Sequence, residues 1–375
     1  MKQIKQTWNN PKWQLRRMKN LSLLVVTTFM VLIASCKDET SQTPVTNYSS
    51  ITAYNDNINY SNITYYGGLL VFDTDAELTE TIAELLRQYD EHDDWFLDQY
   101  DTLDDDSINA IETIIGHNSN LPYETFEGSF IGFTSLRKSI YDLEESWLAS
   151  SDDLVIAEDP DDHFIVSEDL RSVLNTNVEV ATENKVYKFY EDYYLELTGG
   201  GLDTLLELRD SLNDGVIDTD NLDYGTTNHQ TLGIQIIIFK VGNGAAPPGC
   251  NPKTLRRKAD FEKNTSNTRK IKWVLWIENI QLTSGNAHAK TKNYKKKKNG
   301  KWKKYRTNVN ARCHGDMTDP NGCTTHAFDC QTATKKKRKI KVTGCVVGLT
   351  KALPGDVKGV HNGAEGVGKS SVLTW

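Results

Sequence analysis

The chain has 375 residues, with 51 Asp and Glu against 43 Lys and Arg, and a formal net charge of −8 at pH 7. This length excludes a miniature fold that depends on disulfides or metals, because a chain of this size buries an ample apolar core. The charge is divided unevenly. Residues 37–240 contain 43 acids and 9 bases, whereas residues 241–375 contain 8 acids and 28 bases. We therefore predict two domains of opposite charge.

Residues 1–35 are predicted to form a signal peptide, with Met18 as an alternative start. The basic residues 16–19 (RRMK) precede an apolar run at residues 21–34. This run is too short for a comfortable membrane span, which needs roughly 20 apolar residues. Removing the first 35 of the 375 residues would leave 340, which is consistent with two domains.

The end of this segment resembles a known export signal. Residues 32–36 (LIASC) resemble the bacterial lipobox, and residues 37–39 (KDE) resemble the export tag of Bacteroidota surface lipoproteins. The resemblance implies lipidation of Cys36, a membrane anchor made of acyl chains, and display on the outer face of the outer membrane. A periplasm-facing anchor is the alternative. Stretches such as residues 159–165 resemble only uncharacterised exported proteins of that phylum, which implies no activity.

The acidic part of the chain is predicted to be mainly helical. Residues 36–68, the lipidated Cys and a polar tether, precede an acidic domain over residues 69–228. Thr74 and Glu77 form a capping box, and apolar residues keep helical spacing through residues 78–100. Three further helices and one hairpin are predicted, at residues 104–115, 134–148, 202–212 and 178–197.

Residues 229–375 are predicted to form a basic β domain. Residues 232–241, 271–280 and 340–349 have the composition of buried strands, and residues 287–313 that of a hairpin. The predicted fold class is α+β, in which a mainly helical acidic N-terminal domain precedes an antiparallel β sandwich or barrel-like basic domain.

The hairpin is the best candidate for a binding site. With Asn299-Gly300 as a two-residue turn, Lys296 would face Lys303, and such like-charge pairs cost up to about 1 kcal/mol each. The cost suggests a nearby anion, and basic residues interleaved with aromatics suit a polyanion. The predicted anion site consists of Lys290, Lys292, Tyr294, Lys295, Lys296, Lys301, Trp302, Lys303, Lys304, Tyr305 and Arg306.

The same register makes two further predictions, namely that Lys295 faces Lys304 and that Tyr294 and Tyr305 share one face with Trp302 on the other. Three interpretations of the lysines stay open. They bind an external anion such as an acidic glycan, lipopolysaccharide or nucleic acid. They protect an exposed sheet edge from aggregation. They dock the basic domain onto the acidic domain of the same chain.

The cysteines favour disulfides, because an exported chain meets an oxidising compartment. The five candidates after Cys36 are Cys250, Cys313, Cys323, Cys330 and Cys345, and their connectivity cannot be read from the sequence. Tetrahedral zinc held by Cys313, His314, Cys323, His326 and Cys330 is the less favoured alternative.

Two other patterns are weak. Asp210, Asp214 and Asp218 fall at places of a calcium loop, but Leu212 occupies a ligand position. Residues 363–370 match the phosphate-loop pattern G-x-x-x-x-G-K-S, yet too few residues follow for the helix that such a loop needs. A glycine-rich loop is the better interpretation.

No catalytic motif of the G-x-S-x-G or H-E-x-x-H type is present. Asp161, Asp162 and His163 could perform acid–base chemistry, but a solvated turn after Pro160 is the favoured interpretation. We therefore predict a non-catalytic binding protein without a cofactor. A hydrolase with its site in the acidic domain and a structural or assembly component of the envelope are the alternatives.

Overall fold

The structure is a computed structural model that describes Ile58 and residues 60–162, 167–190, 193–214, 225–229, 234–240, 257–280, 283–319, 324–342, 357–363 and 366–373. All of these residues belong to one compact unit spanning residues 51–375. The predicted signal peptide, Cys36 and the export tag lie outside the described residues. Within the described part of the chain, no helix is long and apolar enough to cross a membrane.

The first helix begins where the capping box predicts. Helix α1 covers Asp75–Tyr100, and the Thr74 hydroxyl accepts a hydrogen bond from the Glu77 amide at 3.1 Å. The Glu77 carboxylate in turn accepts from the Asp73 amide at 3.1 Å. Two backbone amides at the start of the helix therefore have a hydrogen-bond partner. The other described helices are α2 (Asp105–Ile114), α3 (Leu121–Gly128), α4 (Leu136–Ser150), α5 (Glu168–Val173) and α6 (Leu202–Asn213).

The helices pack on a seven-stranded sheet. Its strands are β1 (Ile63–Tyr66), β2 (Leu69–Phe72), β3 (Glu179–Thr182), β4 (Lys185–Phe189), β5 (Tyr193–Thr198), β6 (Gly225–His229) and β7 (Ile234–Lys240). The order is β1-β2-β3-β4-β5-β7-β6, and only the β2–β3 pair is parallel. One face packs against α1, α3, α4 and α5, and the other packs against α6.

This sheet extends beyond the predicted limits of the acidic domain, residues 69–228. Strand β1 lies in the predicted tether, and β7 comes from the part of the chain that was predicted to be basic. The Ile-rich β7 pairs with β5 over residues 193–198, where its apolar side chains suit a strand in the middle of a sheet. The division at residue 228 itself stays a prediction, but strand pairing crosses it.

The rest of the described chain forms two five-stranded, antiparallel sheets. The first contains β8 (Arg257–Lys263), β9 (Arg269–Ile280), β10 (Thr283–Lys296), β11 (Trp302–Lys304) and β15 (Lys339–Val342). The second contains β12 (Thr307–Asp319), β13 (Thr324–Gln331), β14 (Lys335–Lys337), β16 (Val357–Asn362) and β17 (Gly368–Leu373).

Apolar side chains from both sheets form one core. It includes Leu275 and Ala289 from the first sheet with Val309, Ala311 and Val357 from the second. Two sheets that share a core in this way form a sandwich, and the described strands do not close into a barrel. The predicted α+β class is confirmed. Residues 368–370 of the phosphate-loop match lie in β17 rather than at the start of a helix.

The hairpin formed by β10 and β11 has a different register from the predicted one. Lys295 faces Lys303, and Lys296 faces Trp302. The turn is longer than two residues, because the Lys297 amide donates to the Lys301 carbonyl at 2.7 Å. Gly300 has a φ of +86°, which suits the left-handed position that ends a three-residue hairpin loop.

The prediction that Tyr294 and Tyr305 share a face was therefore wrong. Tyr294 and Trp302 lie together with Leu148 and Leu154 in one apolar cluster. The Lys295 and Lys303 ammonium groups lie over the Tyr305 ring on the other side, at 4.7 and 5.7 Å from its centre.

Candidate functional site

Strand β10 presents two different faces because alternate side chains of a strand point in opposite directions. Ala287 and Ala289 point into the core of the sandwich. Lys290 and Lys292, which follow at alternate positions, point towards the acidic half of the chain (residues 37–240) and are both buried. Lys290 and Lys292 of the predicted anion site therefore lie at the junction between the acidic and the basic halves.

Asp161 is at the centre of this junction. Its carboxylate accepts from Lys272 at 3.0 Å, Lys290 at 3.3 Å and Lys292 at 3.2 Å, and it also pairs with Arg171. Burial alone would raise the pKa of Asp161, but the three ammonium groups hold it well below its usual value. The prediction of a solvated turn at this position was wrong, since Asp161 is only 1% exposed.

The same environment acts on the lysines. Burial lowers the pKa of Lys290 to about 7, and the opposing attraction of Asp161 is the next largest influence. Lys292 lies nearer to two carboxylates, and although burial disfavours its charge, Asp161 and Glu144 raise its pKa above the usual value. Near neutral pH, Lys290 is therefore protonated in only part of the molecules, whereas Lys292 keeps its charge.

Glu144 is the second buried carboxylate of the junction and comes from the inner face of α4. It accepts from Lys292 at 3.0 Å, from the Tyr294 hydroxyl at 3.0 Å and from Lys304 at 2.8 Å. Burial would raise the pKa of Glu144, but Lys292 and Lys304 lower it below its usual value. Three residues of the predicted anion site, Lys292, Tyr294 and Lys304, thus share this internal carboxylate as their partner.

Arg306 is fully buried between α1 and α2. Its guanidinium group donates to Asp93 and to Glu112, both at 2.7 Å. Asn109 fixes the backbone of the same residue, since its side-chain oxygen accepts from the Arg306 amide at 2.9 Å and its side-chain nitrogen donates to the Arg306 carbonyl at 2.7 Å. These contacts hold the residues that follow β11 against α1 and α2.

A second basic run, residues 335–341, also pairs with the acidic half. Each of its basic residues that forms an ion pair does so with a carboxylate of the acidic half. The pairs are Lys335–Asp94 at 2.7 Å, Lys337–Asp94 at 2.9 Å, Arg338–Glu112 at 2.8 Å, Lys339–Glu168 at 2.8 Å and Lys341–Asp169 at 2.8 Å.

Four further residues of the predicted site, Lys295, Lys301, Trp302 and Tyr305, contact the acidic half nearer to the surface. Lys301 pairs with Asp152 at 2.6 Å, and the Trp302 indole donates to the Asp152 carbonyl at 3.2 Å. Asp106 pairs with Lys295 and accepts from the Tyr305 hydroxyl at 2.7 Å. These contacts hold the body of the hairpin on the acidic half.

The end of the hairpin differs from its body. We define the hairpin tip as Lys296, Lys297, Lys298 and Lys303, of which all but Lys296 are exposed. No carboxylate among the described residues forms an ion pair with any of these four ammonium groups. Partial burial, followed by the neighbouring Lys295, lowers the pKa of Lys303, as expected where positive charges crowd together.

The buried carboxylates that pair with the basic residues were not predicted from the sequence, although their positions in the helices indicate them. Asp93 lies four positions after Tyr89 and three before Phe96, on the buried stripe of α1. Glu144 likewise lies four positions after Ile140 and four before Leu148 on α4. A carboxylate inside an apolar helical stripe is costly unless a cation neutralises it, so each position indicates a buried partner.

The cysteine and metal predictions find little support. Cys313 is a buried free thiol, so the disulfide predicted at this residue is absent; Cys330 lies directly opposite it in the register of β12 and β13. Cys250, Cys323 and Cys345 lie outside the described residues. In the described ranges, no group of three or more His, Cys, Asp or Glu side chains is arranged to hold a metal ion.

The calcium candidates are also placed differently from a calcium loop. Asp210 lies inside α6, where its carboxylate accepts from Arg209 at 2.6 and 2.9 Å, and Asp214 is the residue that caps this helix. Asp218 lies outside the described residues. The first positions of the pattern are therefore helical, and the first carboxylate already has a cationic partner.

No protein-family model matches the chain, and no curated protein sequence matches it. The chain is similar to the crystal structure of a DUF4848 family protein from Bacteroides thetaiotaomicron VPI-5482. The identity is 10%, the match covers 83% of this chain and 100% of that chain, and the TM-score is 0.19. At this TM-score the similarity carries no conclusion about family or function.

Proposed function

We propose that the protein is a non-catalytic interaction protein, anchored to the outer membrane by a lipid on Cys36, that binds an anionic polymer through the hairpin tip. One observation carries this proposal. The lysines along the body of the hairpin have carboxylate partners, whereas the tip lysines have none among the described residues. Four neighbouring ammonium groups that form no ion pair with a described carboxylate attract phosphate, sulfate or carboxylate groups.

The body of the hairpin has a different role in this proposal. Its ion pairs join the acidic and the basic halves, so that within the described hairpin the tip lysines stay available for an external partner. The aromatic rings next to the tip support this assignment. The Lys296 ammonium group lies 5.4 Å from the centre of the Trp302 ring, and that of Lys303 lies 5.7 Å from the Tyr305 ring. These contacts restrict the lysines without neutralising them.

A hydrolase with Asp161 and Asp162 as its catalytic pair receives less support. A general acid must hold a proton near neutral pH, and the pKa of Asp161 is held well below its usual value. Asp162 is committed to Arg257, which donates to it at 2.7 Å. His163 lies outside the described residues.

The proposal is tested by binding of the full-length protein to heparin, lipopolysaccharide and single-stranded DNA over about 50 to 200 mM salt. We expect binding that weakens steeply with salt, because each neutralised phosphate releases counterions. The double variant Lys297→Ser with Lys298→Ser removes two tip charges. On single-stranded DNA its logarithmic salt slope should be smaller by about 1.4 than that of the wild type.

The matched control is Lys258→Ser with Lys358→Ser, which removes the same charge from two other exposed lysines, on β8 and β16. It should leave the salt slope unchanged. Equal loss in both double variants would mean that only net charge matters. Unaltered binding in the tip variant would assign the tip lysines to protection of a sheet edge instead.

A further inference from the structure

A second surface feature shares no residue with the hairpin. A pocket of about 290 Å³ lies at one end of the seven-stranded sheet, close to the lower limit of roughly 300–1,000 Å³ for ligand pockets. Three turns and the end of a helix form its walls. They are the β1–β2 turn at Gly67 and Gly68, residues 132–134, residues 175–177, and the last turn of α6.

The walls are held by a buried carboxylate beneath them. Glu179, which is fully buried, accepts from Lys188 at 2.8 Å, Asn175 at 3.1 Å and Asn213 at 3.0 Å. Arg209 connects the helix to the β1–β2 turn by donating to the Gly67 carbonyl at 2.8 Å. The pocket is therefore already organised before any ligand binds, which reduces the entropic cost of binding.

The backbone next to this carboxylate is unusual. Val178 has a φ of +65°, in the left-handed region that a β-branched residue rarely adopts. It is held there by two hydrogen bonds, from its own amide to the Asn175 carbonyl and from the Phe189 amide to its carbonyl, both at 2.9 Å. Strain of this kind persists where the surroundings enforce it and is concentrated at binding sites.

The exposed lining supplies both donors and acceptors of hydrogen bonds. Thr134, Thr176 and Asn177 are exposed, and their side chains make no hydrogen bond with another described residue. A hydroxyl or an amide can donate and accept at the same time. A surface of such groups matches a ligand that itself carries several hydroxyl groups.

Two further observations restrict the class of ligand. The charged side chains of the pocket neutralise each other, because Arg209 donates to the Asp210 carboxylate at 2.6 Å, so the site does not select a charged ligand. Tyr65 forms one wall, is 40% exposed, and packs against the edge of Phe133 with 5.9 Å between the ring centres. An exposed aromatic ring supplies an apolar surface beside the polar groups.

We propose that this pocket binds a neutral mono- or disaccharide, with its apolar C–H face on Tyr65 and its hydroxyl groups on Asn177, Asp210 and the two threonines. A polyol fits a neutral pocket that offers one aromatic wall and several unsatisfied hydroxyl and amide groups. The site is independent of the anion-binding tip, so either can exist without the other.

The test uses isothermal titration of the full-length protein with glucose, galactose, N-acetylglucosamine, maltose and cellobiose. We expect at least one of them to bind with little dependence on salt. Tyr65→Ala should weaken that binding at least tenfold. Tyr66→Ala is the matched control, because Tyr66 is 50% exposed on the same strand but contacts Asp203 and does not line the pocket.

Asn177→Ala provides an independent variant, since the Asn177 side chain makes no hydrogen bond to a described residue and its loss should not disturb folding. It should weaken the same sugar severalfold while the thermal midpoint stays constant. Absence of binding to all five sugars would overturn the proposal. So would equal affinity in the Tyr65→Ala and Tyr66→Ala variants, or binding that requires the tip lysines.

Discussion

The two ends of one hairpin place the same residue type in opposite environments. Lys290 and Lys292 on the body are buried beside Asp161, whereas Lys297 and Lys298 at the tip are exposed without a described carboxylate partner. A run of lysines in the sequence is therefore not one functional unit. The charge of a buried lysine is neutralised by an internal carboxylate. Removing either partner leaves the other as an unpaired charge in the protein interior.

The first prediction concerns the carboxylate on which the buried body depends. Asp161→Asn should lower the free energy of unfolding by about 3–5 kcal/mol, because it leaves buried cations without their shared partner. Urea-induced unfolding of the full-length protein at pH 7 measures this loss. Asp162→Asn is the control, since Asp162 is a neighbour in sequence with Arg257 as its partner. Equal losses of stability in the two variants would mean that Asp161 contributes no more to stability than its neighbour Asp162.

The second prediction uses a titrating residue on the same strand. His288 is buried and stacks on Trp276 with 4.7 Å between the ring centres, and burial lowers its pKa to about 3. At this residue the unfolded chain takes up a proton near pH 6.5 while the folded chain does not, so the contribution of His288 to stability is constant above pH 6.5 and is lost as the pH falls towards 3.

The test of this prediction is the substitution His288→Gln, which removes the titration. Between pH 6.5 and 5.5 the wild type should lose about 1 kcal/mol more stability than the variant. Urea unfolding at several pH values measures the difference. Parallel pH profiles for the two proteins would mean that His288 is able to gain its proton in the folded state.

The third and smallest effect is expected at the tip. Lys297→Ser with Lys298→Ser should change the free energy of unfolding by less than about 0.5 kcal/mol, because exposed side chains without specific contacts contribute little to stability. Thermal and urea midpoints check this value. A loss of several kcal/mol would show that the tip has a structural role and would weaken its assignment as a binding surface.

Much of the fold follows from local patterns. The Thr74 capping box marks the start of α1, and the Ile-rich run at residues 234–240 forms a strand. The hairpin turn was located at the right residues, but its register was wrong by one position. The two-residue turn favoured by Asn-Gly competes with the three-residue loop that also places a glycine in the left-handed region, and tertiary contacts decide between them.

The environment of the lysines could not be predicted in the same way. The Asp161–Lys292 contact joins residues 131 positions apart, and neither local propensity nor periodicity indicates such a partner. The division of charge along the chain did show that neutralisation within the molecule was an option. The charge division could not show which lysines pair with internal carboxylates, because this depends on which face of β10 contacts α4.

The long separation between partners also affects how the chain reaches its folded state. Asp93, Asp94 and Glu112 form ion pairs with Arg306 or Lys335, which lie 194 or more positions later in the chain. Until then the acidic segment repels itself, and β5 awaits β7 as its neighbour. We expect late, cooperative folding with a high contact order, in which the basic run at residues 335–341 completes ion pairs with helices that are synthesised early.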